Sequence, residues 1–167
     1  MVIISIGVQM FQNSQLKSLL SIAVVDSNYN HDEQVEALQN DFLAYAGTGD
    51  KHEVVDVDTS LLSGDDYNAV VKMTVVMGAG TADMMFCGEE TYKKYKQQEA
   101  FLSWKEVLGD DYSKYEEYMT DDGRLDLEKC PNWEKYNMVY YSPVYAVVMS
   151  SSKNLENCIK FLEMMVQ

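Results

Sequence analysis

Residues 66–108, DYNAVVKMTVVMGAGTADMMFCGEETYKKYKQQEAFLSWKEVL, decide how the chain is read. The stretch reads as helix, glycine turn, short buried strand, polar loop, second helix and aromatic anchor. Val70, Val71, Thr74 and Met77 recur at helical spacing and give the first helix an apolar face. Gly78-Ala79-Gly80 stops it, because glycine tolerates the left-handed backbone that ends many helices. Ala82 to Cys87, ADMMFC, is too short for a helix of its own and suits a buried strand. Gly88, Glu89 and Glu90 come next, at the carboxyl end of that strand, where open α/β sheets place their ligands.

Working outward toward the N-terminus, Ser21 to Asp26, SIAVVD, is a buried strand, and Ser27-Asn28-Tyr29-Asn30 is the polar loop at its carboxyl end. Asn30 is an expected N-cap, with Glu33 placed to reach back to it. The helix from His31 to Ala46 sets Val35, Leu38, Phe42 and Ala46 on one face, and Gly47 and Gly49 end it. His52 to Asp58, HEVVDVD, alternates and forms a second strand. Strand, helix, strand in this order predicts parallel pairing. With the strand at Ala82–Cys87 the pattern predicts an α/β fold, a three-layer α/β/α lobe with a mostly parallel sheet.

Toward the C-terminus, Glu89 to Gln98 is a short helix with Tyr92 and Tyr95 on one side. Phe101, Leu102, Trp104, Val107 and Leu108 form an anchor that packs back on the sheet or its helices. From Gly109 to Trp133 the pattern weakens and acids crowd in, so a solvated acidic excursion over 109–137 is expected. Asp122-Gly123 reads as a hairpin turn with Arg124 to Leu127 as the return strand. The acids lack EF-hand spacing, because Tyr118, Thr120 and Asp122 fill the slots before Gly123. Met138 to Met149, MVYYSPVYAVVM, is β-prone and broken at Pro143, into two strands or one bent strand. Asn154 to Gln167 is a helix with Leu155, Cys158, Ile159, Leu162 and Met165 on one face.

At 167 residues the chain is one domain or one and a fraction. Its formal charge of -14, from 27 acids against 13 basic residues, excludes nucleic acid as a partner and disfavours anionic lipid. Cys87, Cys130 and Cys158 are odd in number and form no C-x-x-C pair, so no zinc site is expected. Cys87 and Cys158 read as small core residues, and a disulfide, if one forms, involves Cys130. Met1 to Phe11, MVIISIGVQMF, is apolar and uncharged, yet short of the ~20 residues a membrane span takes. It has no basic start, no signal-peptidase site and no following lipobox cysteine. It is either the trailing half of a membrane anchor or the start of a buried strand or helix. Residues 1–20 are accordingly set apart as an N-terminal segment, and 21–167 as the α/β domain.

Two stretches carry a family resemblance. Val75-Val76-Met77-Gly78-Ala79-Gly80-Thr81-Ala82-Asp83, then Met84 to Cys87, then Glu99-Ala100-Phe101-Leu102 through Leu108, resemble the "iaaGt.D", strand and "gal..L" pattern of extracellular solute-binding proteins. Ala146 to Met149 followed by Ser152-Lys153-Asn154-Leu155-Glu156-Asn157-Cys158-Ile159-Lys160-Phe161-Leu162 resembles that family's returning strand and "skn.e.a.kFl" helix. The family has the two-lobed type 2 periplasmic-binding fold. About thirty residues, from Gly109 to Met138, stand where the second lobe would be inserted, too few for an independent domain. The resemblance therefore implies a single-lobe relative without a closing cleft. It also implies a location at the extracellular face of the cell membrane, with Met1 to Phe11 as a tether that needs no lipid.

No enzyme motif occurs. His31 and His52 fall in no triad or metal spacing, and there is no G-x-S-x-G, H-E-x-x-H or P-loop. Asp83 is read as capping a neighbouring backbone amide rather than as catalytic. The chain is expected to be non-enzymatic, with no cofactor and no metal. The expected ligand-binding residues are Asn28, Tyr29, Gly88, Glu89, Glu90 and Tyr141, brought together at one sheet edge, with Tyr140, Ser142 and Tyr145 near them. Tyrosine offers an apolar face and a polar tip, which suits sugars, peptides or protein surfaces. Two functions stay open. One is recognition of a small ligand or peptide; the other is a docking or dimerisation module, homodimer included, that has lost ligand binding.

Overall fold

In the computed structural model, residues 16–167 are described. The expectations for Met1 to Phe11 lie outside them. The strands are β1 (Lys17–Val25), β2 (Glu53–Leu61), β3 (Met84–Cys87), β4 (Phe101–Leu102), β5 (Leu125–Asp126) and β6 (Tyr145–Met149). The helices are α1 (Asp32–Ala46), α2 (Tyr67–Ala79), α3 (Glu89–Lys96), α4 (Trp104–Leu108), α5 (Trp133–Tyr136) and α6 (Leu155–Val166).

The sheet runs β2-β1-β3-β6-β4, and β5 pairs with β6 on the same side as β4. β1 is parallel to β2 and to β3, as strand-helix-strand order requires. β6 runs antiparallel to β3, β4 and β5. The sheet is thus mixed rather than mostly parallel, and one late strand causes this. β6 enters between β3 and β4, and every residue from Tyr145 to Met149 is buried.

The alternation of β1 sorts the core into two layers. Leu20, Ile22 and Val24 pack on Leu38 and Phe42 of α1 and on Phe161 and Leu162 of α6. Ala23 and Val25 pack on Met73 and Val76 of α2 and on Tyr92 and Tyr95 of α3. The result is an α/β/α arrangement. β1 begins at Lys17, before the expected Ser21, because residues 17–20 pair with Glu53 to Val55.

Three local readings need correction. His31, not Asn30, is the N-cap of α1, and its side chain makes no capping bond. Gly78 and Ala79 remain helical, and only Gly80, at φ 64°, takes the left-handed cap. Most consequentially, α2 is rotated from the expected phase. Ala69, Met73 and Val76 are buried, whereas Val70, Val71, Thr74 and Val75 are exposed. With valines on both sides, α2 has more than one apolar stripe, and spacing alone does not say which one meets the sheet.

The 109–137 excursion is not a solvated loop. Met119, Leu125, Leu127, Cys130, Trp133 and Tyr136 are all buried in the α1/α6 layer of the core. Asp110, Asp111, Glu116 and Glu117 sit on short 3-10 turns at Gly109–Lys114 and Glu116–Tyr118, on the outside, whereas Asp122 and Asp126 are half-buried. The turn at Asp122-Gly123 forms as expected, with Thr120 N–H donating to the Arg124 carbonyl at 2.8 Å. The return strand then pairs with β6. Gly123 has φ 81°, and a Cβ there would collide with Ser103 Oγ. Gly123→Ala is therefore expected to cost about 2 kcal/mol or more in urea unfolding, from left-handed strain and from displacement of Ser103.

Asp83 behaves as expected of a cap. Its carboxylate accepts from Ser21 N–H at 3.0 Å, Ser152 Oγ at 2.8 Å and Asn154 Nδ2 at 3.2 Å. It thereby ties β1 to the start of α6. All three cysteines are free and buried, Cys130 included. Burial pushes each thiol up to about 12, which keeps it unreactive near neutral pH. Among the described residues no helix is long and apolar enough to cross a membrane.

Candidate functional site

A cleft of about 270 Å³ opens at the carboxyl ends of β1, β2 and β3. Gly88, Glu89, Glu90 and Tyr141 line it, together with Asp26, Ser63, Tyr140 and the cis Ser142-Pro143 bond. Four of the six residues expected at the site thus come together. Asn28 and Tyr29 do not line the cleft. The loop holding them turns away as Ser27 bridges to Val139 and Asn28 N–H donates to the Met138 carbonyl at 2.8 Å. Tyr29 is left fully exposed.

Each wall has a physical origin. Asp26 follows the last residue of β1 with φ 53°, an uncommon conformation for a residue with a side chain. Its carboxylate accepts from Ser63 N–H at 3.1 Å and Ser63 Oγ at 2.5 Å, which joins the ends of the two parallel strands β1 and β2. Tyr141 forms the floor. Its hydroxyl donates to the Val25 carbonyl at 2.8 Å, and burial pushes its pKa well above the usual tyrosine range. Gly88 lets that ring approach, since a Cβ there would already stand 3.3 Å from Tyr141 Cδ2. Tyr140 packs edge-on against Tyr141 and is exposed, so its ring is free to cover a ligand.

Electrostatically the cleft divides in two. Glu89 is already engaged: Arg124 Nη1 donates to it at 2.6 Å, and Lys93 stands 3.4 Å away. The hydrogen bond from Arg124 holds its carboxyl below the usual glutamate range, against the effect of burial. Glu90 has no ion-pair partner among the described residues. Around them, the first backbone amides of α3 lack a side-chain cap. Acceptors and donors therefore face one small volume beside an aromatic ring.

The residue that sequence reading missed is Arg124, the only arginine in the chain. Its guanidinium lies between the rings of Tyr92 and Tyr145, at 4.3 and 4.4 Å, and also donates to Asp122 Oδ1 at 2.9 Å. Tyr145, expected near the ligand, is thus turned to this cluster instead. A lone arginine in a chain whose other twelve basic residues are all lysine was the available signal. Asp26 was also legible, as the last residue of the strand read at Ser21–Asp26; Ser63 was not, because β2 runs on to Leu61, past the expected Asp58. Among the described residues no group of three His, Cys, Asp or Glu side chains is arranged to hold a metal ion.

Comparison with protein-family models, with curated proteins and with solved structures finds no match.

Proposed function

We propose that the chain is a non-enzymatic, solute-binding-like single lobe that recognises a small ligand or peptide in the cleft between Asp26, Glu90 and Tyr140. The observation that carries this reading is the pairing of an uncommitted carboxylate and free helix amides with an exposed aromatic ring, at the carboxyl edge of the sheet. Hydroxyl-rich or zwitterionic molecules satisfy such a set: their O–H or N–H groups donate to Glu90 and Asp26, and their oxygens accept from the α3 amides. Binding without turnover is favoured because Glu89, the best-held carboxylate, is kept ionised by Arg124 and is a poor proton carrier near neutrality. The kinship with one lobe of a type 2 periplasmic-binding protein is supported by the return of the chain, after 109–137, into the middle of the sheet as β6. In the same reading the apolar residues Met1 to Phe11 tether the domain at the extracellular face of the membrane.

The test is a calorimetric and thermal-shift screen against sugars, amino acids and short peptides. A binder is expected, and Glu90→Gln with Tyr140→Ala should weaken it at least about tenfold, the effect of losing a charged hydrogen bond and a ring contact. No binder in any class, or a binder indifferent to both changes, overturns the assignment. The second reading, a docking surface on this same edge, is favoured by the exposure of Tyr29, Leu62 and Tyr140.

A further inference from the structure

The outer face of α2 is apolar and unpartnered among the described residues. Tyr67, Val71, Thr74 and Gly78 succeed one another at spacings of four, three and four, the period of a helix–helix seam. Tyr67 is 79 % and Val75 58 % exposed, and Val71 is exposed beside them. The Thr74 hydroxyl donates back to the Val70 carbonyl at 2.8 Å, so the seam presents no unpaired polar group there. Apart from Asn68 and Lys72 the helix is apolar beyond the face that meets the sheet, and an apolar stripe on a helix is normally buried against a partner.

We infer that a second copy of this chain covers this face, through an antiparallel α2–α2 contact about a twofold axis. Three observations select that occupant. The seam is self-complementary when reversed: Tyr67 of one copy falls opposite Gly78 of the other, and Val71 opposite Thr74. Gly78 has nothing within 4 Å of where a Cβ would be, and it borders a groove of about 360 Å³ between α2 and α3, which receives the Tyr67 ring. The charges also agree. In a chain of -14, two copies repel almost everywhere, yet the only charged residue within α2 is Lys72, which lies to the side of the seam. Asp65, just before the helix, is already paired with Lys94 at 3.0 Å. Reversed helices also set opposite dipole ends together. This contact is independent of the cleft at the sheet edge. One thirteen-residue helix per copy is a small interface, so reversible association is expected rather than an obligate dimer.

Sedimentation of the full chain, from low micromolar to several hundred micromolar, tests this. The expected mass rises from 19.1 kDa toward twice that value, and does so more readily at high salt, where repulsion between acidic copies is screened. Val71→Asp with Val75→Asp, both at exposed positions, should keep the circular dichroism and abolish the dimer. A mixture of Val71→Cys and Thr74→Cys chains should cross-link on oxidation more than either chain alone. A monomer at every concentration and salt overturns the proposal. So does a dimer that survives the double aspartate variant. So does a monomer whose Val71→Cys thiol is shielded from maleimide, which would place a segment of the same chain on the seam.

Discussion

Trp104→Ala is expected to lower the unfolding free energy by about 4–5 kcal/mol, the largest effect of any single substitution considered for this chain. Trp104 is wholly buried, and its indole N–H donates to the Ala146 carbonyl at 2.9 Å. That carbonyl lies where two short strands abut on one side of β6, since β4 pairs with Met149 and Val148 while β5 pairs with Ala146 and Tyr145. The indole thus fills the junction and satisfies an acceptor there. Truncation removes the ring, opens a cavity and strands a buried carbonyl. Trp104→Phe separates these contributions: most of the volume remains, and a loss of about 1–2 kcal/mol is expected. Urea midpoints measure both. Because small domains hold only ~5–15 kcal/mol in total, the alanine variant should be partly unfolded at physiological temperature.

Arg124 is expected to give the second largest effect. Arg124→Ala leaves Glu89 and Asp122 without their shared cation and empties the space between Tyr92 and Tyr145, at an expected cost of about 3 kcal/mol. Arg124→Lys should recover little of it, because an ammonium cannot lie flat between two rings while donating to two carboxylates. The acid limb of stability carries the signature. Burial alone would raise Asp122, but hydrogen bonds from Thr120 and Arg124 and the Arg124 charge outweigh it and bring it down to about 2. Glu89 is lowered as well, chiefly by its Arg124 hydrogen bond. Groups depressed in the folded state stabilise it fully above their ordinary range near pH ~4, and that contribution is lost as pH falls toward the folded values. For Asp122, a third of which is exposed, the contribution is about 1–2 kcal/mol after allowance for solvent screening. Wild-type stability should therefore fall between about pH 4 and pH 2 more steeply than that of Arg124→Ala, as read from urea midpoints across that range.

The legible part of the fold is the part that local pattern encodes. The strands read at Ser21–Asp26, His52–Asp58 and Ala82–Cys87 announce themselves, because burial between two helix layers demands unbroken or alternating apolar residues. Order along the chain then fixes their parallel pairing. The antiparallel insertion of β6 was not legible, since YAVVM is equally apolar whichever neighbour it takes. The face of α2 was missed for a related reason: valines on two stripes give spacing no means to choose. The buried part of 109–137 was hidden by composition, because its acids outnumber the residues that dock, Met119, Leu125, Leu127, Cys130, Trp133 and Tyr136. At the cleft, Gly88 to Glu90 and Tyr141 were readable from sheet geometry. The departure of Asn28 and Tyr29 was not, because it depends on a bridge from Ser27 to Val139, which are distant in sequence.

The position of β6 also governs when this chain can fold. Its residues are synthesised after those of every other strand of the sheet, yet they occupy an interior lane. Until residue 145 leaves the ribosome, Met84 to Cys87 have an unpaired edge made wholly of side chains that end up buried. β4 and β5 meanwhile have no partner in the sheet at all. Completion of the sheet therefore waits on β6 and is dominated by contacts distant in sequence, a regime of slow folding and aggregation-prone intermediates. A chain cut short before Tyr145 should collect as insoluble material, even though it retains three of the sheet's parallel strands.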